Sequence, residues 1–442
     1  MKYTFRGGTH VEEHKLTAAS PLELMTPPKT LSIPMSQHIG VPCRSLVSIG
    51  DTVLLGQKIG DVDKDKLGCP IHSPVSGKVI GTAFKTNAQG AVVEHIIIEN
   101  DGNNTLSPDF KPFPKPYSEA TPDEIIDFIR DRGIVGMGGA MFPTYAKIKS
   151  ALGKVDCMIV NCAECEPYIT TDHRMMLERP HTIIGGIRIL LHALGLSEAI
   201  IAIEDNKADA IETIRKEIGD STDVRICVCK TKYPQGDERQ IMYAVTKREL
   251  PPGKLPADIG CILFNCSTCS AVYHAFTHGR PTYRRVITVS GDCIKTPKNL
   301  IALIGTPYRD LIEYCGGLIK DPEKLISGGP MMGAARWDLD APMIKGTSAL
   351  LALSYDICQH YDQPPVCIRC GRCIKNCPMH LMPNYIARYA MEKRYKDCES
   401  MGVMSCVECG TCSYNCPGQM MIVQHIRVAK GAIRAEKAKK QG

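Results

Sequence analysis

The sequence predicts a multidomain α/β chain: a β-rich barrel-sandwich domain, a Rossmann-like α/β domain, a small β-grasp module and a helical C-terminal domain built around cysteines. Three observations carry this reading. Short β-branched runs broken by Gly, Pro and Asp occupy residues 41–53 and 77–98. Beyond a proline-rich break, strand-like and helix-like stretches alternate from residue 123 to 228. Two matching cysteine runs then stand near the C-terminus. The 442 residues leave room for about three domains of ordinary size, and 44% hydrophobic with 23% charged residues is usual for a globular protein.

Each element follows in order. Residues 1–30 read as an irregular arm, with turn-forming Gly7-Gly8 and Pro27-Pro28. Residues 31–115 form the β-rich domain, and within it the stretches 50–57 and 73–79 resemble the two halves of a biotinyl/lipoyl-type hammerhead. Lys66, after Asp65, falls near the hairpin lysine that such domains modify. Modification is not expected, because the fold is used far more widely than the modification. Pro108, Pro112, Pro114, Pro116 and Pro122 stiffen the passage into the α/β domain, residues 116–283. There a helix over 123–131, strands over 156–160, 199–203 and 224–228 and a helix over 208–217 keep the β-α-β order. Residues 284–345 repeat β, α, β on a smaller scale, as a β-grasp module. The cysteine domain spans 354–442, and the 28 residues between Cys377 and Cys406 can form a helical pair that brings the chain back.

Cys367-x2-Cys370-x2-Cys373-x3-Cys377-Pro378 and Cys406-x2-Cys409-x2-Cys412-x3-Cys416-Pro417 have the spacing with which thiolates wrap a 4Fe-4S cubane. Zinc favours two CxxC pairs or mixed Cys/His ligands, so a third cysteine at the same interval, duplicated, argues against it. Disulfides need an oxidising compartment, and MKYTFRGGTH has no apolar signal-peptide core. Reduced, cytosolic thiols are therefore expected. The runs resemble those of two-cluster ferredoxins, in which the fourth cysteine of each run crosses to the other cluster. That resemblance groups Cys367, Cys370, Cys373 and Cys416 on one cluster and Cys406, Cys409, Cys412 and Cys377 on the second. Of the 22 cysteines, most others read as small buried hydrophobes. Cys162-x2-Cys165 and Cys266-x2-Cys269 leave open a metal shared between two pairs.

Four glycines within residues 133–139 allow the backbone to approach a phosphate or ring closely. Amides of the following helix, with Lys147, can neutralise a phosphate there. Taken alone, the loop leaves open a glycine-rich turn without a ligand. Three further segments follow in order: Asn161-x2-Glu164-x-Glu166-Pro167, Tyr233-x2-Gly236-Asp237-Glu238 and Asn265-x2-Thr268. Together they resemble the flavin-binding, NADH-oxidising subunit of respiratory complex I. The resemblance implies non-covalent FMN on Gly136, Gly138, Gly139, Lys147, Asn161, Asn265 and Thr268. It implies NAD(H), as substrate, along Phe142, Glu164, Glu166, Tyr233, Gly236, Asp237 and Glu238. Phe142 offers a flat face to adenine, and carboxylates accept from ribose hydroxyls while repelling a 2′-phosphate, so NAD(H) is preferred over NADP(H). Met137 stands where that loop commonly carries Arg, and Ala163 where an acidic residue is usual. No side chain need act as nucleophile or general acid.

The complex I subunit ends in one cluster, whereas this chain ends in two. The whole chain instead resembles the RnfC subunit of the Rnf electron transport complex, from Phe5-Arg6-Gly7-Gly8-Thr9-His10 and Gln37-His38-Ile39-Gly40 through Gly328-Gly329-Pro330-Met331-Met332-Gly333 to both cysteine runs. The expected function is then a peripheral subunit, on the cytoplasmic face of the membrane, of an ion-translocating ferredoxin:NAD+ oxidoreductase. Its partners would be integral-membrane and peripheral subunits, with ferredoxin reached through another subunit. The alternatives are a soluble relative serving another enzyme, such as a cobalamin reductase or an amino-acid reductase, and a relay subunit without nucleotide chemistry. No apolar run approaches the ~18 to 20 residues that cross a bilayer. No motif points to nucleic acid. The basic stretch from Arg427 to Lys440 reads as a solvated helix end.

Overall fold

The computed structural model describes residues 3–87, 91–358 and 364–441. After the arm and strand β1 (Leu22–Leu24) come β2 (Thr30–Pro34), β3 (Arg44–Ser45), β4 (Thr52–Val53), β5 (Lys58–Asp61), β6 (Ile71–His72), β7 (Gly77–Thr86) and β8 (Val92–Asn100). Strands β2 to β8 make two antiparallel sheets, β2-β8-β7-β4 and β3-β5-β6. Their inward residues, among them Leu31, Ile33, Ile59, Ile71 and Ile96, share one solvent-free core. Lys66 is exposed and paired with Asp63 at 3.1 Å.

The α/β domain runs α1 (Pro122–Asp131), α2 (Thr144–Ala151), β9 (Cys157–Cys162), α3 (Thr171–Glu178), α4 (Pro180–Leu194), β10 (Ala199–Glu204), α5 (Ala208–Ile218), β11 (Val224–Cys229), α6 (Glu238–Thr246), β12 (Cys261–Asn265) and α7 (Cys266–His278). Its four strands are all parallel, in the order β11-β10-β9-β12. Every residue of β10 is buried, as both faces of a parallel sheet require. One face packs on α1, α4, α5 and α7, the other on α6. Helix α1 begins where Thr121 and Glu124 cap each other reciprocally.

Next come β13 (Arg284–Ser290), β14 (Lys298–Leu303), α8 (Tyr308–Tyr314), β15 (Lys324–Ser327), β16 (Ala334–Arg336) and β17 (Ala349–Leu353). They form a sheet ordered β1-β14-β13-β17-β15-β16, larger than a β, α, β reading of 284–345 suggests. The wholly buried β17 fills the middle, and β1, taken from the arm, covers the edge of β14. The arm is thus not irregular throughout. Finally α9 (Arg372–Lys375), α10 (Pro383–Met391), α11 (Tyr395–Ser400), α12 (Thr411–Tyr414) and α13 (Ile422–Gln441) enclose a core of Ile386, Ala390, Ile422, Ile426 and Ile433. The basic C-terminal stretch belongs to α13. Part of it is paired inward, with Arg427 and Lys430 both on Glu408, and Lys437 2.6 Å from Glu399.

Candidate functional site

Strand order reverses between β9 and β12, because β10 and β11 lie to one side of β9 and β12 to the other. In open α/β sheets the crevice outside the carboxyl ends of such strands is where ligands bind. Asn161 and Asn265 stand there, directly paired in register. Asn161 donates to the Gly236 carbonyl at 2.7 Å and accepts from Ala163 N at 3.2 Å. Asn265 caps α7 by accepting from Ser267 N at 2.9 Å, and donates to Asp172 at 2.7 Å. The Thr268 hydroxyl accepts from Met137 N at 3.0 Å, so the glycine-rich loop is tied to the first turn of α7.

Within that loop Gly136 N donates to Phe142 O at 2.8 Å and Met141 N to Gly136 O at 3.2 Å. This tight closure pushes Gly138 and Gly139 out to solvent at the mouth of the crevice, with Phe142 half-buried beside them. Gly139, at φ +108°, adopts a backbone that only glycine takes easily. A Cβ on Gly138 would already touch that of Asn265 at 3.4 Å. Lys147 pairs with Glu238 at 3.1 Å. Asp237 caps α6 through Arg239 N and Gln240 N, and burial pushes its carboxyl up to about 6. A close-approach loop, a helix N-terminus with its Thr268 hydroxyl and a lysine at one strand end form a donor set suited to a flavin phosphate and ring.

Three of the residues expected along the nucleotide face turn elsewhere. Glu164 accepts from Asp172 N at 2.6 Å, His173 N at 3.2 Å and the Thr171 hydroxyl at 3.1 Å, at the start of α3. Glu166 accepts from Met331 N at 3.1 Å and Met332 N at 2.9 Å, in the Gly328–Gly333 turn, and burial raises its carboxyl to about 7. Tyr233, 1% exposed, donates to the Cys409 carbonyl at 2.6 Å. Glu238, by contrast, is half-buried and paired only with the Lys147 side chain.

Two residues that sequence reasoning missed hold this region together. Lys15 of the arm donates to the carbonyls of Glu164, Glu166 and Ile169 at 3.0, 2.9 and 2.6 Å. Asp172 accepts from both Asn265 and Ser267. The Thr-Thr-Asp at the head of α3 is a readable helix-start signal, whereas nothing around Lys15 marks it.

The eight C-terminal cysteines line two voids. Cys367, Cys370, Cys373 and Cys416 surround one; Cys377, Cys406, Cys409 and Cys412 surround the other. Among the described residues, no three His, Cys, Asp or Glu side chains converge on a point fit for a single metal ion. Four thiols spread round a void suit a cubane instead. Burial pushes the Cys373, Cys377, Cys406 and Cys409 thiols up, so the positive charge of iron is what would hold them as thiolates. The isolated CxxC pairs do not assemble: Cys162 meets Cys266, while Cys165 accepts from Gly236 N at 3.2 Å.

Fold and site define a modular electron-transfer protein with a flavin domain and a two-cluster domain. Residues 129–274 match the Nuo51 FMN-binding domain, 3–103 the RnfC barrel sandwich hybrid domain, 286–335 the SLBB domain and 359–432 the 4Fe-4S dicluster domain. The chain is 42% identical over 438 residues to the C subunit of the Na+-translocating ferredoxin:NAD+ oxidoreductase complex of Acetobacterium woodii, covering 99% of this chain and 98% of that one. It is 42% identical over 446 residues to the proton-translocating counterpart of Clostridium ljungdahlii, covering 99% and 97%. In a crystal structure of an NAD+-reducing [NiFe]-hydrogenase, one chain aligns with 17% identity and a TM-score of 0.49, covering 73% of this chain and 63% of that one. The chain belongs to the RnfC family of Rnf complex subunits. No helix among the described residues is long and apolar enough to cross a membrane.

Proposed function

We infer that this protein is the NAD-reacting peripheral subunit of a membrane-bound, Na+- or H+-translocating ferredoxin:NAD+ oxidoreductase, held at the cytoplasmic face by integral-membrane and peripheral partners. FMN held here would supply the exchange between two-electron chemistry with NAD(H) and single-electron transfer on the cluster side. Gly136, Gly138 and Gly139 admit it to the crevice. Asn161 and Asn265 would hold it at the strand ends, and Thr268 and Lys147 would supply the donors for its phosphate. Phe142, Gly236, Asp237 and Glu238 border the nucleotide side, and Glu164, Glu166 and Tyr233 shape that border from behind through the backbone they hold. Cys367, Cys370, Cys373 and Cys416 carry one 4Fe-4S cluster; Cys377, Cys406, Cys409 and Cys412 carry the other.

The observation that carries this reading is the bond from Tyr233 to Cys409, which joins the nucleotide loop to the Cys406–Cys412 turn through one side chain. It supports an order in which the cluster on that turn stands between the crevice and the other cluster. Purified protein reconstituted with iron, sulfide and FMN should lose both flavin and iron-sulfur absorbance on titration with NADH. Flavin that binds yet stays oxidised under NADH overturns the nucleotide assignment.

A further inference from the structure

The void lined by Cys367 and Cys370 opens on a surface of unusual composition. Both cysteines are exposed, flanked by Val366 and Ile368, 60% and 61% exposed. Arg369, Arg372 and Lys375 are exposed around them, and none makes an ion pair with a described residue. Residues 364–391 and 409–435, which supply this void's walls, contain no Asp or Glu. The other void differs: its neighbouring Glu408 is neutralised by Arg427 and Lys430.

Unpaired guanidinium groups beside apolar side chains are the makings of a protein interface, with an apolar centre and charges that steer the approach. An anionic lipid surface would use the cations but leave the two exposed thiols, and the cluster behind them, facing nothing that can exchange an electron. We propose that this face docks an acidic iron-sulfur protein, whose carboxylates meet Arg369, Arg372 and Lys375 and whose cluster is thereby brought against the one on Cys367 and Cys370. The proposal rests on the cluster assignment given above.

The test is binding of an acidic bacterial two-cluster ferredoxin, as probe, to the full chain loaded with FMN and clusters. Affinity should fall at least about tenfold between ~0.05 and ~0.3 M salt, and as much when the probe's carboxylates are amidated. In the R369E/R372E/K375E variant it should fall likewise, whereas R369K/R372K/K375R should bind nearly as the native chain does. Iron analysis establishes that the variants carry both clusters; if charge reversal prevents loading, the salt and amidation arms on the native chain decide. Binding indifferent to salt and to amidation overturns the proposal. So does binding of phosphatidylglycerol vesicles through these residues as tightly as the ferredoxin. Failure of NADH to bleach the native protein strikes the nucleotide reading and leaves the binding result standing.

Discussion

The two cysteine runs are near copies in sequence, yet their voids sit in opposite surroundings. Cys377, Cys409 and Cys412 are buried, and the loops that carry them are covered by parts from three other regions. Gly8 N of the arm donates to Asn376 O at 2.8 Å, Tyr233 of the α/β domain bonds to Cys409 O, and Met331 lies so close that a Cβ on Gly410 would stand 3.0 Å from its carbonyl. No described residue outside the C-terminal domain lines either void, but Cys367 and Cys370 are exposed where Cys377, Cys409 and Cys412 are buried. Spacing therefore sets what each loop can hold, and burial sets whom it can reach. A cluster walled in by the rest of the chain exchanges electrons inward, and one at the surface exchanges them outward.

The largest expected effects break the comparison directly. Cys409→Ser and Cys370→Ser should each lower bound iron by about half. They should differ under NADH. With Cys370→Ser the remaining cluster lies on the sealed side and should still be reduced, whereas with Cys409→Ser the remaining, outer cluster should reduce far more slowly. Equal reduction rates in rapid-mixing absorbance would sink the inward and outward assignment.

Glycines at positive φ sharpen the same contrast. At Gly8 a Cβ would stand 2.5 Å from Tyr233 O and 2.8 Å from the Phe5 ring, while at Gly371, on the open side, it would meet nothing within 4 Å. Gly371→Ala should cost only the left-handed backbone term, about 1 kcal/mol. Gly8→Ala should cost about 2–4 kcal/mol, because the Tyr233 carbonyl and the Phe5 ring must move. Thermal unfolding reports both, and equal costs would mean that the arm does not seal the void. The β-α-β alternation was legible in sequence because each strand is a short apolar run bounded by turn residues. The seal was not, because Gly7-Gly8 reads simply as a turn until residue 376 is beside it. Nor did the sequence tell that Glu164 and Glu166 are occupied by backbone amides, since their partners lie up to 166 positions away in the chain.

Titration distinguishes the two sides next. Glu166 holds the Met331-Met332 turn over the sealed void, and burial raises its carboxyl to about 7, above the ~4.3 of an unfolded chain. Between those values the folded state keeps a proton that the unfolded state has lost. Its contribution to stability is therefore greatest below about pH 4 and falls as pH rises to about 7, with no further change above. Glu166→Gln cannot titrate, so from pH 5 to 8 its stability relative to the native chain should improve by about 2 kcal/mol. Parallel curves in denaturant titrations at the two pH values would show that the carboxylate is not held as described. The open side has no counterpart, since residues 364–391 carry no carboxylate.

The smallest change asks whether the bond between nucleotide loop and cluster turn is felt by the cluster. Tyr233→Phe removes the neutral hydrogen bond to Cys409 O and leaves the ring in place, so the loss of stability should be about 1 kcal/mol. Cluster potentials respond to hydrogen bonding and solvent access around the sulfurs. The Tyr233 hydroxyl is bonded to the backbone of Cys409, on the sealed side, and to no described residue on the open side. In a redox titration followed by electron paramagnetic resonance, one cluster should therefore shift and the other hold still. An equal shift in both would mean that the change spreads through the whole domain, and Tyr233 would then be a packing residue rather than a local contact to one of two unequal sites.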